Sequence, residues 1–266
     1  MPEGPEVKLF VDKLKNYENK RIRSIKFMSG RFLKNTPDIS VFIDQSFNNI
    51  SCKGKFIWFE SNNNVIFNTL GMTGSWGLTP TKHSRICIEF DSDEIIYFND
   101  IRNFGTFQVK SKKELEAKLN TIGPDMLSSP PTATDFVSLL RKKNNKNICE
   151  VLMNQNTLSG VGNYIKAESL WLSRIYPFVN IKDLTDKNLE ALYYAIRFVI
   201  TRSYKSLGAT LKTYYTFDNQ EGTYADKMYV YGRQHDWHGF PVIRKETPDK
   251  RTTHFTSRQT IGIKME

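Results

Sequence analysis

The chain opens Met1-Pro2-Glu3-Gly4-Pro5-Glu6-Val7. Removal of Met1 would leave Pro2 as a free secondary amine beside two carboxylic acids, Glu3 and Glu6. That grouping can open a sugar, form an iminium ion and drive elimination. An α-amino group titrates at about 7.7 and a lysine at about 10.4, so at neutral pH roughly one terminal amine in six is uncharged, against roughly one lysine in 2,500. Only the uncharged amine is a nucleophile, and the partial positive charge of a nearby helix N-terminus opposes its protonation. Pro2 therefore ranks above any lysine as an iminium former. The alternative is an ordinary Met-Pro start whose acids decorate a helix.

Four further groupings could bind or act. Leu158-Ser159-Gly160-Val161-Gly162-Asn163-Tyr164-Ile165-Lys166 lies between two predicted helices. Its glycines allow close backbone approach, and the N–H groups at the following helix start can hold a phosphate. An ordinary helical turn would look the same. Lys55, in Lys53-Gly54-Lys55, could reach a phosphate or sit solvated at a strand end. Met72, flanked by Gly71 and Gly74, and Arg102 with Phe104 could project three side chains from two loops, or could belong to a core. His235 and His238 have metal-ligand spacing. The tail has no cysteine and only His254 as a further nitrogen ligand, so a closed zinc site is hard to assemble and no metal is expected.

The elements that must position these residues show in the periodicity. Val7, Phe10, Val11 and Leu14 recur at helical spacing, with Pro5 at the first helical position. Short β-rich runs follow at Ile22–Phe27, Lys55–Glu60, Val65–Asn68, Arg85–Phe90, Ile95–Phe98 and Thr106–Val109, the texture of a β-sandwich or barrel. Gly123-Pro124 and Pro130-Pro131 punctuate a break. Helical patterns then cover about 133–143, 147–155, 163–173 and 184–206, and strands are expected near Met228–Tyr231, Val242–Lys245 and Thr252–Phe255.

The 266 residues carry 38 Lys and Arg against 28 Asp and Glu, a net charge of +10 that suits a polyanionic partner such as nucleic acid. No apolar stretch approaches the roughly 20 residues of a membrane span. The charged N-terminus has no apolar h-region, so no signal peptide is expected. Cys52, Cys87 and Cys149 are far apart, which argues against a disulfide framework and for an intracellular setting, nucleus or cytoplasm.

Together Pro2-Glu3-Gly4-Pro5-Glu6-Val7, Lys53-Gly54-Lys55, Gln155 to Lys166, Tyr231-Gly232-Arg233 and Arg251-Thr252-Thr253-His254-Phe255 resemble the formamidopyrimidine-DNA glycosylase/endonuclease VIII family over nearly the whole chain. The resemblance implies an α+β protein with an N-terminal helix and antiparallel β-sandwich (1–125), a helix-two-turn-helix domain (126–210), and a capping-loop region with a β-hairpin finger (211–266). It implies a bifunctional glycosylase and abasic-site lyase of base-excision repair. In that reading Pro2 attacks C1′ and forms a Schiff base, Glu3 opens the sugar, Glu6 supports the site and Lys55 grips DNA near the lesion. Asn163 and Arg251 hold flanking phosphates, with Tyr164 and Lys166 completing the DNA-binding set. Met72, Arg102 and Phe104 fill the void left by a flipped base.

The chain departs from the family pattern in places. The four cysteine positions of the usual zinc finger fall on His235, His238, Thr256 and Gln259, which resembles a zincless finger held by packing of Trp237, Phe240 and Phe255. Thr69 stands where a His is common, and Asn103 where a basic residue is common. Gly4 is similar to the endonuclease VIII branch, whereas the full void-filling trio and a capping segment at Leu211–Val230 are more typical of the other branch. The expected substrates are oxidised pyrimidines, formamidopyrimidines and hydantoins, with 8-oxoguanine weak or absent. The expected partner is damaged DNA, double- or single-stranded, with no membrane, no cofactor and a monomeric chain. A non-catalytic lesion or abasic-site binder on the same fold is the alternative. A structural protein sharing only the helix-two-turn-helix fits less well, given the β-rich half and the N-terminal amine.

Overall fold

In the computed structural model, which describes residues 2–34, 36–209, 217 and 221–263, the N-terminal segment forms helix α1 (Gly4–Leu14). Pro5 lies in its first turn, where a missing N–H costs nothing. Its apolar stripe of Val7, Phe10, Val11 and Leu14 is fully buried.

Eight strands follow among the described residues: β1 (Ile22–Phe27), β2 (Asn49–Lys53), β3 (Phe56–Ser61), β4 (Asn64–Thr69), β5 (Gly74–Gly77), β6 (Ser84–Phe90), β7 (Ile95–Asp100) and β8 (Thr106–Ser111). They form two antiparallel sheets, ordered β1-β6-β7-β5 and β2-β3-β4-β8. The α1 stripe shares one core with alternating residues of both sheets, including Ile25, Ile57, Phe59, Trp76, Ile88 and Phe98. That is the sandwich the β-rich texture implied. Strand β3 is buried on both faces. Its second face, with Phe56 and Trp58 stacked at 5.9 Å, is approached by helix α2 (Lys112–Thr121), whose Lys118 amine lies 5.8 Å above the Phe56 ring. Strands β2 and β5 and helix α2 were not foreseen. In α2 only Leu115 is buried, so it has no apolar stripe to read.

The remaining helices are α3 (Ala133–Arg141), α4 (Ile148–Met153), α5 (Asn163–Leu172) and α6 (Asp186–Lys205). A hairpin of β9 (Ile243–Thr247) and β10 (Arg251–Phe255) follows, and beyond it Ile261 bridges to Ile175. No strand forms near Met228–Tyr231. The N–H groups of Tyr229, Val230 and Tyr231 donate instead to the buried Glu168 carboxylate on α5, at 2.7 to 2.8 Å. A carboxylate that collects three amides removes the donors a strand ladder would need.

The chain divides into two compact units, Met1–Thr121 with Ser206–Ala225, and Ile122–Lys205 with Asp226–Glu266. This differs from the expected 1–125, 126–210 and 211–266. The reason is local pairing: Ala209 donates its N–H to Glu6 Oε1 at 2.9 Å, and Thr223 and Tyr224 bond the carbonyls of Ser206 and Gly208. The segment after α6 therefore returns to the first unit. Of the capping segment expected at Leu211–Val230, residues 211–216 and 218–220 lie outside the described residues.

Candidate active site and nucleic-acid interface

In the first unit, Pro2, Glu3 and Glu6 are all buried at the start of α1. Glu3 holds the extended backbone of a helix cap, and its N–H donates to Glu6 Oε2 at 2.8 Å. The other Glu6 oxygen accepts the Ala209 N–H. Glu6 is thus a carboxylate strut that fixes the residue next to Pro2. Placed in the first turn, it also meets the favourable end of the helix dipole. The partner segment around Ala209, 203 residues away in sequence, was not foreseen.

Lys55 occupies the two-residue turn between β2 and β3, half-buried. Gly54 takes φ +60° there while Lys55 does not, as a type II′ hairpin requires. The neighbouring Lys53 is committed elsewhere, donating to the Leu119 carbonyl at 3.0 Å.

Met72 lies in the turn before β5, and Arg102 and Phe104 lie in the loop after β7. The two loops are fastened by Asp100, which is fully buried. Its Oδ1 accepts the Thr73 hydroxyl at 2.5 Å and its Oδ2 the Gly105 N–H at 2.7 Å. The Arg102 N–H in turn donates to the Thr73 hydroxyl at 2.9 Å. Gly71 (φ +59°) packs so closely that a Cβ there would fall 2.8 Å from the Gly105 nitrogen. Phe104 is half exposed, with the Arg102 guanidinium 4.7 Å above its ring. Asn103 sits between them at φ +57°, a left-handed conformation that Asn tolerates better than Arg or Lys. The departure at Asn103 thus fits the turn that presents its two neighbours. Asp100 was missed because a single Asp at the end of a strand carries no signal of its own.

In the second unit, Asn163 is the first residue of α5 and donates Nδ2–H to the Thr252 carbonyl at 3.0 Å, leaving its buried Oδ1 without a hydrogen bond. Arg251, the first residue of β10, is exposed beside Thr252. The structure therefore brings Asn163 and Arg251 together. Gln155 shapes the preceding turn: its amide donates to the Val161 carbonyl at 2.9 Å and accepts the Gly160 N–H at 3.1 Å.

Tyr164 and Lys166 require correction as DNA-facing side chains. Tyr164 is 1% exposed, its hydroxyl 2.9 Å from that of Ser203. Lys166 is 0% exposed and paired with Asp249 at 2.6 Å. On α5 only the first residue lies at the helix end; one and three residues on, the side chains turn inward.

Comparison with known proteins settles the family. Residues 1–107 match the formamidopyrimidine-DNA glycosylase N-terminal domain and residues 122–214 the formamidopyrimidine-DNA glycosylase H2TH domain. A formamidopyrimidine-DNA glycosylase of Wolbachia sp. subsp. Brugia malayi is 30% identical over 88% of this chain and 89% of that protein. The chain belongs to the formamidopyrimidine-DNA glycosylase family. It is a member of a family of DNA-repair glycosylases. Another formamidopyrimidine-DNA glycosylase, from Listeria innocua, is 29% identical over 96% of this chain and 98% of that protein. The crystal structure of the MutM (Fpg) protein from Thermus thermophilus superposes with a TM-score of 0.86 at 26% identity, covering 97% of this chain and 98% of that one. A Lactococcus lactis Fpg variant in complex with Fapy-dG-containing DNA shares the fold at 24% identity, with a TM-score of 0.85 over 97% and 99% of the two chains.

Family members with a zinc finger raise the question of whether His235, His238, Thr256 and Gln259 suit that metal. They do not. The Thr256 hydroxyl donates to Asp236 Oδ2 at 3.3 Å, and the Gln259 side chain bonds the Thr256 N–H and the Ile175 carbonyl, each at 3.0 Å. Among the described residues, no group of three or more His, Cys, Asp or Glu is arranged to hold a metal ion. The expected packing also needs correction, because Trp237 is 62% and Phe240 41% exposed; only Phe255 is buried. Asp236 holds the knuckle instead. It accepts the Trp171 indole N–H at 2.9 Å and the His238 and Phe240 amides at 2.9 and 3.0 Å. Burial pushes the Asp236 carboxyl up, and these bonds with that of Thr256 outweigh it, holding it below the ordinary value.

Proposed function

We propose that the chain is a bifunctional DNA glycosylase and abasic-site lyase that uses the Pro2 amine. The buried start of α1 supports this reading most directly: Glu6 holds the residue beside Pro2 through one oxygen and is itself held by the Ala209 amide through the other. In the proposed reaction Glu3 protonates the sugar ring oxygen. The uncharged Pro2 nitrogen attacks C1′, and the damaged base departs with its bonding electron pair and takes up a proton. The Pro2 nitrogen gives up its proton to the departing base, the C1′–O4′ bond breaks with its oxygen carrying the proton from Glu3, and the ring-opened iminium so formed acidifies the C2′ hydrogen. Loss of that proton breaks the C3′–O bond with the phosphate as leaving group, and a second elimination breaks the C5′–O bond. Lys55, Asn163 and Arg251 hold phosphates. Met72, Arg102 and Phe104 occupy the gap left by the flipped nucleotide, offsetting part of the few kcal/mol that unstacking costs.

The proposed substrates are oxidised pyrimidines, formamidopyrimidines and hydantoins in DNA, with 8-oxoguanine poor. Borohydride reduction during incubation with an abasic duplex should give a covalent adduct at Pro2. Its absence in active-site-intact protein would reduce the chain to a lesion binder. A cleavage panel of the four lesion classes, in single- and double-stranded DNA, tests the substrate range.

A further inference from the structure

Helix α5 sends three side chains into the C-terminal hairpin and the segment leading to it. Asn163 reaches the Thr252 carbonyl, Glu168 collects the amides of residues 229–231, and Lys166 pairs with Asp249. The last contact is unusual in kind. Both partners are sealed from solvent, at 0% and 4% side-chain exposure, with a separation of 2.6 Å. Desolvating two charges costs so much that apolar residues of similar volume often serve stability as well or better. A buried pair retained at such a place points to position rather than stability.

The position it controls is that of Arg251. Asp249 lies in the turn between β9 and β10, two residues before Arg251. The Thr247 hydroxyl ties the turn together, 2.5 Å from Asp249 Oδ1, 3.0 Å from the Arg251 carbonyl and 2.7 Å from the Thr253 hydroxyl. Asn163 and Lys166 are three residues apart, one above the other on α5. Their bonds grip the hairpin at Thr252 and at Asp249, on either side of Arg251. One grip alone would act as a pivot; two fix the hairpin's orientation against the helix.

We propose that Lys166 and Asp249 are positioning residues: their buried pair pins the hairpin turn to α5, so that Arg251 and Asn163 are presented side by side to the DNA backbone. This rests on the phosphate-holding role proposed for Arg251. Lys166 acts through the hairpin and does not touch DNA.

The test measures affinity of the full chain for a duplex carrying a stable abasic-site analogue, across a sodium chloride series. The proteins are Lys166→Met, Lys166→Arg, Asp249→Asn, Arg251→Ala and the Lys166→Met/Arg251→Ala double variant. Lys166→Met and Asp249→Asn should each weaken binding on the order of tenfold and flatten the log–log salt slope by about 1, the signature of one lost phosphate contact. Lys166→Arg should recover part of the loss. Adding Lys166→Met to Arg251→Ala should cost nothing further. An additive loss in the double variant would mean that Lys166 acts independently of Arg251, and would overturn the proposal. So would unchanged affinity in Asp249→Asn and Lys166→Met while Arg251→Ala is impaired. Should Lys166→Met fail to fold, Asp249→Asn, nearly isosteric, and its own double variant with Arg251→Ala carry the same expectations. An Arg251→Ala protein with full affinity and an unchanged slope would sink the phosphate role itself, and the pin with it.

Discussion

Single residues carry the proposed chemistry, and their consequences are the sharpest. If the Pro2 nitrogen is the nucleophile, one extra residue at the N-terminus converts it into an amide with no basic lone pair. Borohydride trapping should vanish while duplex affinity is retained; trapping that persists would refute the assignment. Asp100 makes a second prediction. Replacing it with Ala leaves the Gly105 N–H and the Thr73 hydroxyl without their acceptor, at a cost of about 1–3 kcal/mol per unsatisfied buried group. Thermal unfolding should show that loss. Excision from duplex should fall further than excision from single strands, because only a duplex leaves a gap for Arg102 and Phe104 to fill. Pro2 and Glu3 were proposed from their place in the chain together with the family resemblance. Asp100 was not, since its role exists only where Thr73 and Gly105 come to it across 27 and 5 residues.

At the scale of elements, the finger shows how a fold can keep a shape with different chemistry. Asp236 gathers one indole, two amides and a hydroxyl, so Asp236→Ala should lower stability by about 2–3 kcal/mol, and chelator should leave the unfolding midpoint of the parent unchanged. A chelator-induced drop would show that a metal contributes after all. The hairpin also sets a pH dependence. Burial holds His254 down at about 4 from 6.5, with Arg244 and Lys166 adding to the effect. The unfolded chain therefore takes up a proton that the folded chain refuses as pH falls from 6.5 towards 4, and stability declines over that window. His254→Gln should flatten it in denaturant titrations at pH 7, 5.5 and 4, chosen at roughly equal steps across the shift. The helices at 133–143 and 184–206 were readable because apolar residues recur on one face. Helix α2 and the 229–231 segment were not, the one lacking a stripe and the other spending its amides on Glu168.

For the whole molecule, the excess of ten positive charges makes DNA affinity strongly salt-dependent. The logarithmic slope should be shallower on single strands, about −0.7 per phosphate contact against about −0.9 on duplex. Equal slopes on the two would argue against an electrostatic footprint of common size. The charge was plain in the composition. The return of residues 206–225 to the first unit was not, because it depends on Glu6 finding the Ala209 amide.

Sequence by itself determined the α+β division and the β-sandwich, and it named Pro2 with its two acids, Asn163 and Arg251 as candidate site residues. The fold rests on local periodicity, Pro2 on its place near the start of the chain, and Asn163 and Arg251 on the resemblance to the family. Tertiary structure decided which of them face outward. It turned Tyr164 and Lys166 into the interior, exposed Trp237 and Phe240, and gave Asp236, Asp100 and Glu168 their work. Burial and buried hydrogen bonds depend on what distant segments bring to a side chain, and no spacing within one segment records that.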